Sequence, residues 1–223
     1  SVFRDFRNYL GEAYLQFGEP ISLNAVLKDY PLSDYPSEKD WLFKVTPLLG
    51  KKIMTNINDS TVVTSTALFS LAILNSDGFS ISKQELVSRI ELLKSLLEED
   101  KYSPKTLICE KTGEEIIDQM RKLGFLSKED INDRISLTNL EAAKLSFYRN
   151  NISHLLIFES LICGFFQYQK EIAKEDLLQS IKMIYPFLKE EFFLKWDEAD
   201  LDQIIDLKLN KLLNKNFIFE DRF

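Results

Sequence analysis

One helical stripe constrains this chain more than any other feature. Thr138-Asn139-Leu140-Glu141 has the form of a capping box, which predicts a helix start near Asn139. From there Phe147, Asn151, His154, Phe158, Leu161 and Phe165 recur at alternating steps of four and three. That spacing predicts one continuous helix to about Gln167 with all six residues on one face. Leu155 to Phe166 is apolar on nearly every side, the mark of a central, buried element. Tyr148, Asn151 and His154 are then expected to form a polar core within an apolar stripe. They need partners from neighbouring helices, because an unpaired buried polar group costs ~1–3 kcal/mol.

The rest of the chain reads as helical too. Seven Gly and six Pro in 223 residues are few, which favours long helices over turn-rich sheets. Leu48–Ile57 and Val62–Leu74 carry helical patterning, and Thr64, Ser65, Thr66, Ala67, Ser70 and Ala72 would let the second pack closely against others. Ser82 and Glu85 form a capping box for a helix reaching Leu97. Thr112 and Glu115 form another, for a helix ending at Leu123-Gly124 with Gly124 as a left-handed cap. Lys174–Leu188 is helical to about Pro186, Phe192 to Trp196 form an aromatic cluster, and Asp200–Leu213 is the last helix. Phe125-Leu126 with Arg134–Leu137 resembles a two-stranded wing after a helix, and Asn214–Phe219 resembles the first strand of a second wing.

A helix followed by a wing suggests DNA binding, and charge opposes it. The net charge is -7 and the pI about 5.0. Glu114, Glu115 and Asp118 on one candidate recognition helix, and Asp200, Asp202 and Asp206 on the other, would repel phosphate. No nucleic-acid partner is expected.

Gly11 to Phe17 alternates apolar Ala13, Leu15 and Phe17 with polar or amphipathic residues, and Gly18 and Pro20 close the run. This is a half-buried strand with no partner strand for over a hundred residues, and a lone strand is unstable. It is expected to belong to a sheet lying upstream, or alternatively to pack as an extended arm. The turn-rich stretch Pro31–Lys39 is the best domain boundary. The expected organisation is residues 1–38 as the end of one domain and 39–223 as a helical domain cut short at its own end. Cys109 and Cys163 are far apart and unpatterned, so two free thiols in a reduced compartment are expected. No signal peptide opens the chain, and the run Leu155–Phe166 is interrupted by Glu159 and too short to span a bilayer. Any membrane contact would be peripheral.

Little catalytic chemistry is legible. One histidine excludes a histidine-rich metal site, the cysteines lack metal-ligand spacing, and no glycine-rich phosphate loop appears, so no metal or cofactor is expected. His154 and Glu159 imitate a His-x4-acid pattern, but on a continuous helix five residues turn the side chains about 140° apart. Arg149 beside Asn150 is either a binder of phosphate or carboxylate or an interhelical clamp.

Three ordered segments resemble a known family. Tyr148-Arg149-Asn150-Asn151-Ile152-Ser153-His154 is similar to the Tyr-Arg-Asn-Asn-x-x-His segment of bacterial membrane-bound glycerol-3-phosphate acyltransferases. Tyr185-Pro186-Phe187-Leu188-Lys189-Glu190-Glu191-Phe192-Phe193-Leu194-Lys195-Trp196 resembles that family's Tyr-Pro-x-Leu-Lys-x-Glu-Leu-Phe-Leu-Arg-Trp segment. Gly11 to Pro20 resembles the strand that closes its acyltransferase domain, and Asn56-Ile57-Asn58 fits as well. The resemblance implies a parent enzyme acylating position 1 of glycerol 3-phosphate from acyl-carrier protein or acyl-coenzyme A, at the cytoplasmic side of the bacterial inner membrane or in the cytoplasm. The family's catalytic His-x4-Asp and its glycerol-phosphate motifs precede the strand at Gly11. The resemblance thus implies a mainly α, non-catalytic C-terminal domain with small winged-helix-like β elements, preceded by the terminal strand of a truncated α/β acyltransferase domain. Its implied partner is the upstream catalytic domain. The alternative is a stand-alone helical module, derived from such an enzyme, that docks on proteins or membranes.

Overall fold

The computed structural model describes residues 12–126 and 133–219. The mainly α expectation is met: among the described residues there are nine α-helices and two small two-stranded sheets. They are α1 (Leu23–Asp29), α2 (Glu38–Asp59), α3 (Ser65–Ile73), α4 (Lys83–Glu99), α5 (Gly113–Lys122), α6 (Asn139–Asn150), α7 (Ile157–Tyr168), α8 (Lys174–Phe192) and α9 (Leu201–Asn214). The strands are β1 (Val62–Val63), β2 (Ser80–Ser82), β3 (Leu107–Ile108) and β4 (Arg134–Ser136). The chain forms two compact units. One holds the described residues up to Phe17 together with Asp59–Leu155, and the other holds Gly18–Asn58 together with the residues from Leu156 onward. The stretch Pro31–Lys39, expected as a domain boundary, lies inside the second unit.

In the first unit α3 is the central helix. It buries Ser65, Ala67, Leu68, Phe69, Ser70, Ala72 and Ile73, and α4, α5 and α6 pack around it. Its small residues make that approach possible, since a backbone flanked by Ser and Ala admits neighbours that Leu would hold away. The expected helix over Val62–Leu74 starts later. Val62 and Val63 instead pair in parallel with Leu107 and Ile108, and Thr64 caps α3 by accepting from the Ala67 N–H. Ser82 caps α4 the same way, while the Glu85 carboxylate turns to Arg89 at 2.6 Å. Thr112 and Glu115 complete a reciprocal capping box at α5. Gly124, at φ 78°, ends that helix with paired bonds from Gly124 N to Arg121 O and from Phe125 N to Met120 O. Arg134–Ser136 pairs antiparallel with Ser80–Ser82, not with Phe125-Leu126 as the wing expectation had it. The reason is side-chain burial: this pairing puts Ile81 opposite Ile135, and both are buried. The expected turn of that wing falls at residues 127–132, outside the described residues.

The second unit is built on α7, α8 and α9. Phe158 stacks on Tyr185 at 5.9 Å and meets Trp196 edge-on at 5.3 Å, with Ile162, Ile181, Leu194, Leu201 and Ile205 filling the same core. Helix α8 runs through Pro186 to Phe192, past the expected stop. Phe193 then takes the left-handed conformation at φ 50° and drops Leu194 into the core. The second expected wing strand is absent among the described residues. After α9, Asn216 turns the chain at φ 58°, Phe217 N returns to Leu212 O at 2.9 Å, and Ile218 is buried. Asn supports this left-handed cap where a β-branched residue would be strained.

The segment expected as a strand is extended but forms no ladder among the described residues. Leu15 and Phe17 point to solvent, while Gln16 donates to the Lys105 carbonyl and Glu12 accepts from Lys111 at 2.5 Å. Within these residues it packs as an arm.

Candidate functional site

The stripe that predicted one helix from Asn139 to Gln167 is interrupted. Helix α6 ends at Asn150, a 3-10 turn spans Ser153–Leu156, and α7 begins at Ile157. Local chemistry explains the break. Asn150 and Asn151 are weak helix formers, the Ser153 hydroxyl donates to the Arg149 carbonyl at 3.0 Å, and the Ile152 N–H reaches the same oxygen at 3.1 Å. The turn lets Ile152 and His154 face inward while Phe147 and Asn151 face solvent.

The expected polar core is corrected accordingly: Asn151 is exposed, and Tyr148 is half-buried with its ring edge-on to Phe125 at 6.0 Å. His154 is 4% exposed. Its Nε2 lies 3.3 Å from Thr61 Oγ1, and its ring meets Tyr102 edge-on at 5.1 Å. Arg149 and Asn150 turn to each other, with Nε and Nη2 donating to Asn150 Oδ1 at 3.3 and 3.2 Å. The rotation argument against a His154–Glu159 pair assumed a continuous helix; the geometry replaces it with separate partners, Thr61 for His154 and lysines for Glu159.

The family-like segment does border a cavity in the first unit, of about 250 Å³. The first turn of α3, from Thr64 to Ala67, forms one wall, and Tyr148, Asn151, Phe125 and Gln119 form others. Glu12 closes the rim with Lys111, which also donates to Gln119 Oε1 at 2.8 Å. The hydrogen bond from Lys111, with a second from Tyr14, holds the Glu12 carboxyl below its usual pKa. The positive end of α3 favours anions in principle. Here Thr64 already occupies the Ala67 N–H, and a carboxylate sits at the mouth. Ser65 Oγ lies 3.1 Å from Cys109 Sγ. Among the described residues no cluster of His, Cys, Asp and Glu could hold a metal ion, and no helix is long and apolar enough to cross a membrane.

The other family-like segments meet in the second unit. Asn58 Nδ2 donates to the carbonyls of Phe192 and Phe193 at 2.7 and 3.3 Å, capping the end of α8. Asn56 Nδ2 donates to the Glu19 carbonyl at 2.9 Å, and a Cβ on Gly18 would stand 3.1 Å from Asn56 Cβ. Tyr185 Oη donates to the Trp196 carbonyl at 2.8 Å, and Lys189 to Asp197 at 2.6 Å, which holds the Asp197 carboxyl below its usual pKa. These segments close turns around helix ends.

Sequence reasoning passed over one buried cluster. Glu159 Oε1 lies 3.0 Å from both Lys208 Nζ and Lys211 Nζ, and all three side chains are buried. A signal was present: Leu201, Ile205, Lys208 and Leu212 follow helical spacing, which places a lysine on an apolar stripe.

The chain is 33% identical over 232 residues to a glycerol-3-phosphate acyltransferase of Shewanella loihica, and 29% identical over 229 residues to one of Pseudomonas paraeruginosa. Those matches cover 100% and 99% of the chain but 28% of each relative's length. The family model described as the glycerol-3-phosphate acyltransferase C-terminal region matches residues 1–222, and the chain belongs to that family.

Proposed function

We propose that this chain is the non-catalytic C-terminal portion of an enzyme that acylates glycerol 3-phosphate at position 1, drawing on acyl-carrier protein or acyl-coenzyme A. In this reading the active site lies in a preceding catalytic domain, and the chain supports that domain, with any membrane contact made from its surface at the cytoplasmic side. Arg149 and Asn150 act as a surface pair shaping the end of α6, since they bond to each other and lie off the cavity wall. The segment ending near Phe17 completes the sheet of the catalytic domain.

The observation that carries the reading is the inaccessible histidine. A general base must reach the hydroxyl it deprotonates. The chain has one histidine, and its ring is closed in by Tyr102 and Thr61. The full-length match to a C-terminal region, at 28% of the relatives' length, supports a supporting role. The test is an acyl-transfer assay with glycerol 3-phosphate and both acyl donors. The expected result is turnover by the polypeptide that includes the preceding domain and none by residues 1–223. Turnover by this chain that is lost in His154→Ala would overturn the reading.

A further inference from the structure

Helix α2 spans 22 residues and buries only Val45. Leu42, Phe43, Ile53 and Ile57 are between 43% and 85% exposed. On a 3.6-residue period these four fall on one face together with Thr46 and Gly50, a stripe about 22 Å long. Lys44, Lys51 and Lys52 project from other sides, and Lys51 is engaged by Glu190. Helix α1 buries none of its residues and leaves Leu23 and Leu27 exposed. A continuous uncharged apolar face on a soluble surface marks a contact site.

The geometry points to an intramolecular occupant: the apolar stripe of α2 is the docking face for the portion of the polypeptide that precedes this chain in full-length members of the family. Two observations select that occupant. Most of each relative's length lies outside the matched region, and that region is C-terminal, so a large folded portion enters through the arm at the start of the chain. Gly18 lies against Asn56, and the Glu19 carbonyl is bonded by its side chain, so the downstream end of that arm is anchored on α2, between Ile53 and Ile57 in sequence. A lipid surface is the poorer fit. Basic residues do not line the stripe between Leu42 and Ile57, and the net charge of -7 opposes anionic headgroups. A covalent connection to the site also raises the local concentration of the docked portion.

The inference rests on the proposed function, and its test separates the two. Phe43→Cys and Ile53→Cys variants are labelled with a maleimide, as residues 1–223 and as the full-length polypeptide, and modification is read peptide by peptide so that Cys109 and Cys163 do not interfere. The expected result is labelling at least tenfold slower in the full-length protein, with or without phosphatidylglycerol vesicles. Equal rates in the two proteins overturn the inference. So does protection that appears only with vesicles, or protection of residues 1–223 that grows with their own concentration. Ile53→Glu/Ile57→Glu supplies a second readout: unchanged thermal unfolding of residues 1–223, and earlier unfolding of the full-length protein. Acyl transfer without protection removes the docking face and leaves the proposed function. Protection without acyl transfer does the reverse.

Discussion

The two units bury polar groups in different ways. The first buries mostly single polar side chains: His154 beside Thr61, Ser70 bonded to the Thr66 carbonyl, and Gln119 receiving Lys111. With them it buries one lysine, Lys94, whose Nζ donates to the Lys111 carbonyl at 2.6 Å and lies 3.7 Å from Glu91. The second buries charge, with one carboxylate between two lysines. Neutral groups are desolvated at modest cost and satisfied by single hydrogen bonds. A buried charge tolerates loss of its partner far less, because the remaining charge stays in a poor solvent. Removing one partner is therefore expected to cost more in the second unit than in the first.

The largest expected effect lies in the second unit. Glu159→Ala leaves Lys208 and Lys211 facing each other and should destabilise by ~3–5 kcal/mol, read by urea unfolding. Amide exchange should show the lost protection concentrated in α7 and α9. A loss below about 1 kcal/mol would remove the contrast between the units. His154→Ala, in the first unit, should cost roughly 2–3 kcal/mol from the cavity left under Tyr102 and the lost contact to Thr61. Asn58→Ala opens the carbonyls of Phe192 and Phe193 to water and should cost about 1 kcal/mol. Asn151→Ala should change stability by less than about 0.5 kcal/mol, as expected for an exposed residue away from special features. If that variant proved as costly as His154→Ala, the exposed placement of Asn151 would be wrong.

The smallest effect is with pH. Glu12, Glu115 and Asp197 are all held below their usual values, by Lys111, by the Thr112 backbone and by Lys189 respectively. The unfolded chain therefore binds protons more readily at these sites. Their contribution is complete above the usual values of 4.5, 4.5 and 3.8 and fades as pH falls through the lower folded values. All three are surface groups, so the decline in denaturant midpoint below that range should be shallow, and added salt should flatten it further.

Sequence by itself determined the helical class, the caps and the family. Thr112, Thr138 and Gly124 did so through local rules: a hydroxyl satisfying an N–H three residues on, and a backbone free to take positive φ. Tyr148 to His154 and Tyr185 to Trp196 identified the family without disclosing what they do. Only tertiary structure decided that Ile152 and His154 turn inward after the break at Asn151, that Arg134–Ser136 pairs with Ser80–Ser82, and that Asn58 holds the end of α8. It also decided that Glu159 is buried against two lysines from a helix about fifty residues on. The physical reason is range. Capping bonds close within one turn and leave their pattern in neighbouring residues, whereas burial depends on which distant side chains compete for the same space, and periodicity records the face of a helix without recording what meets it.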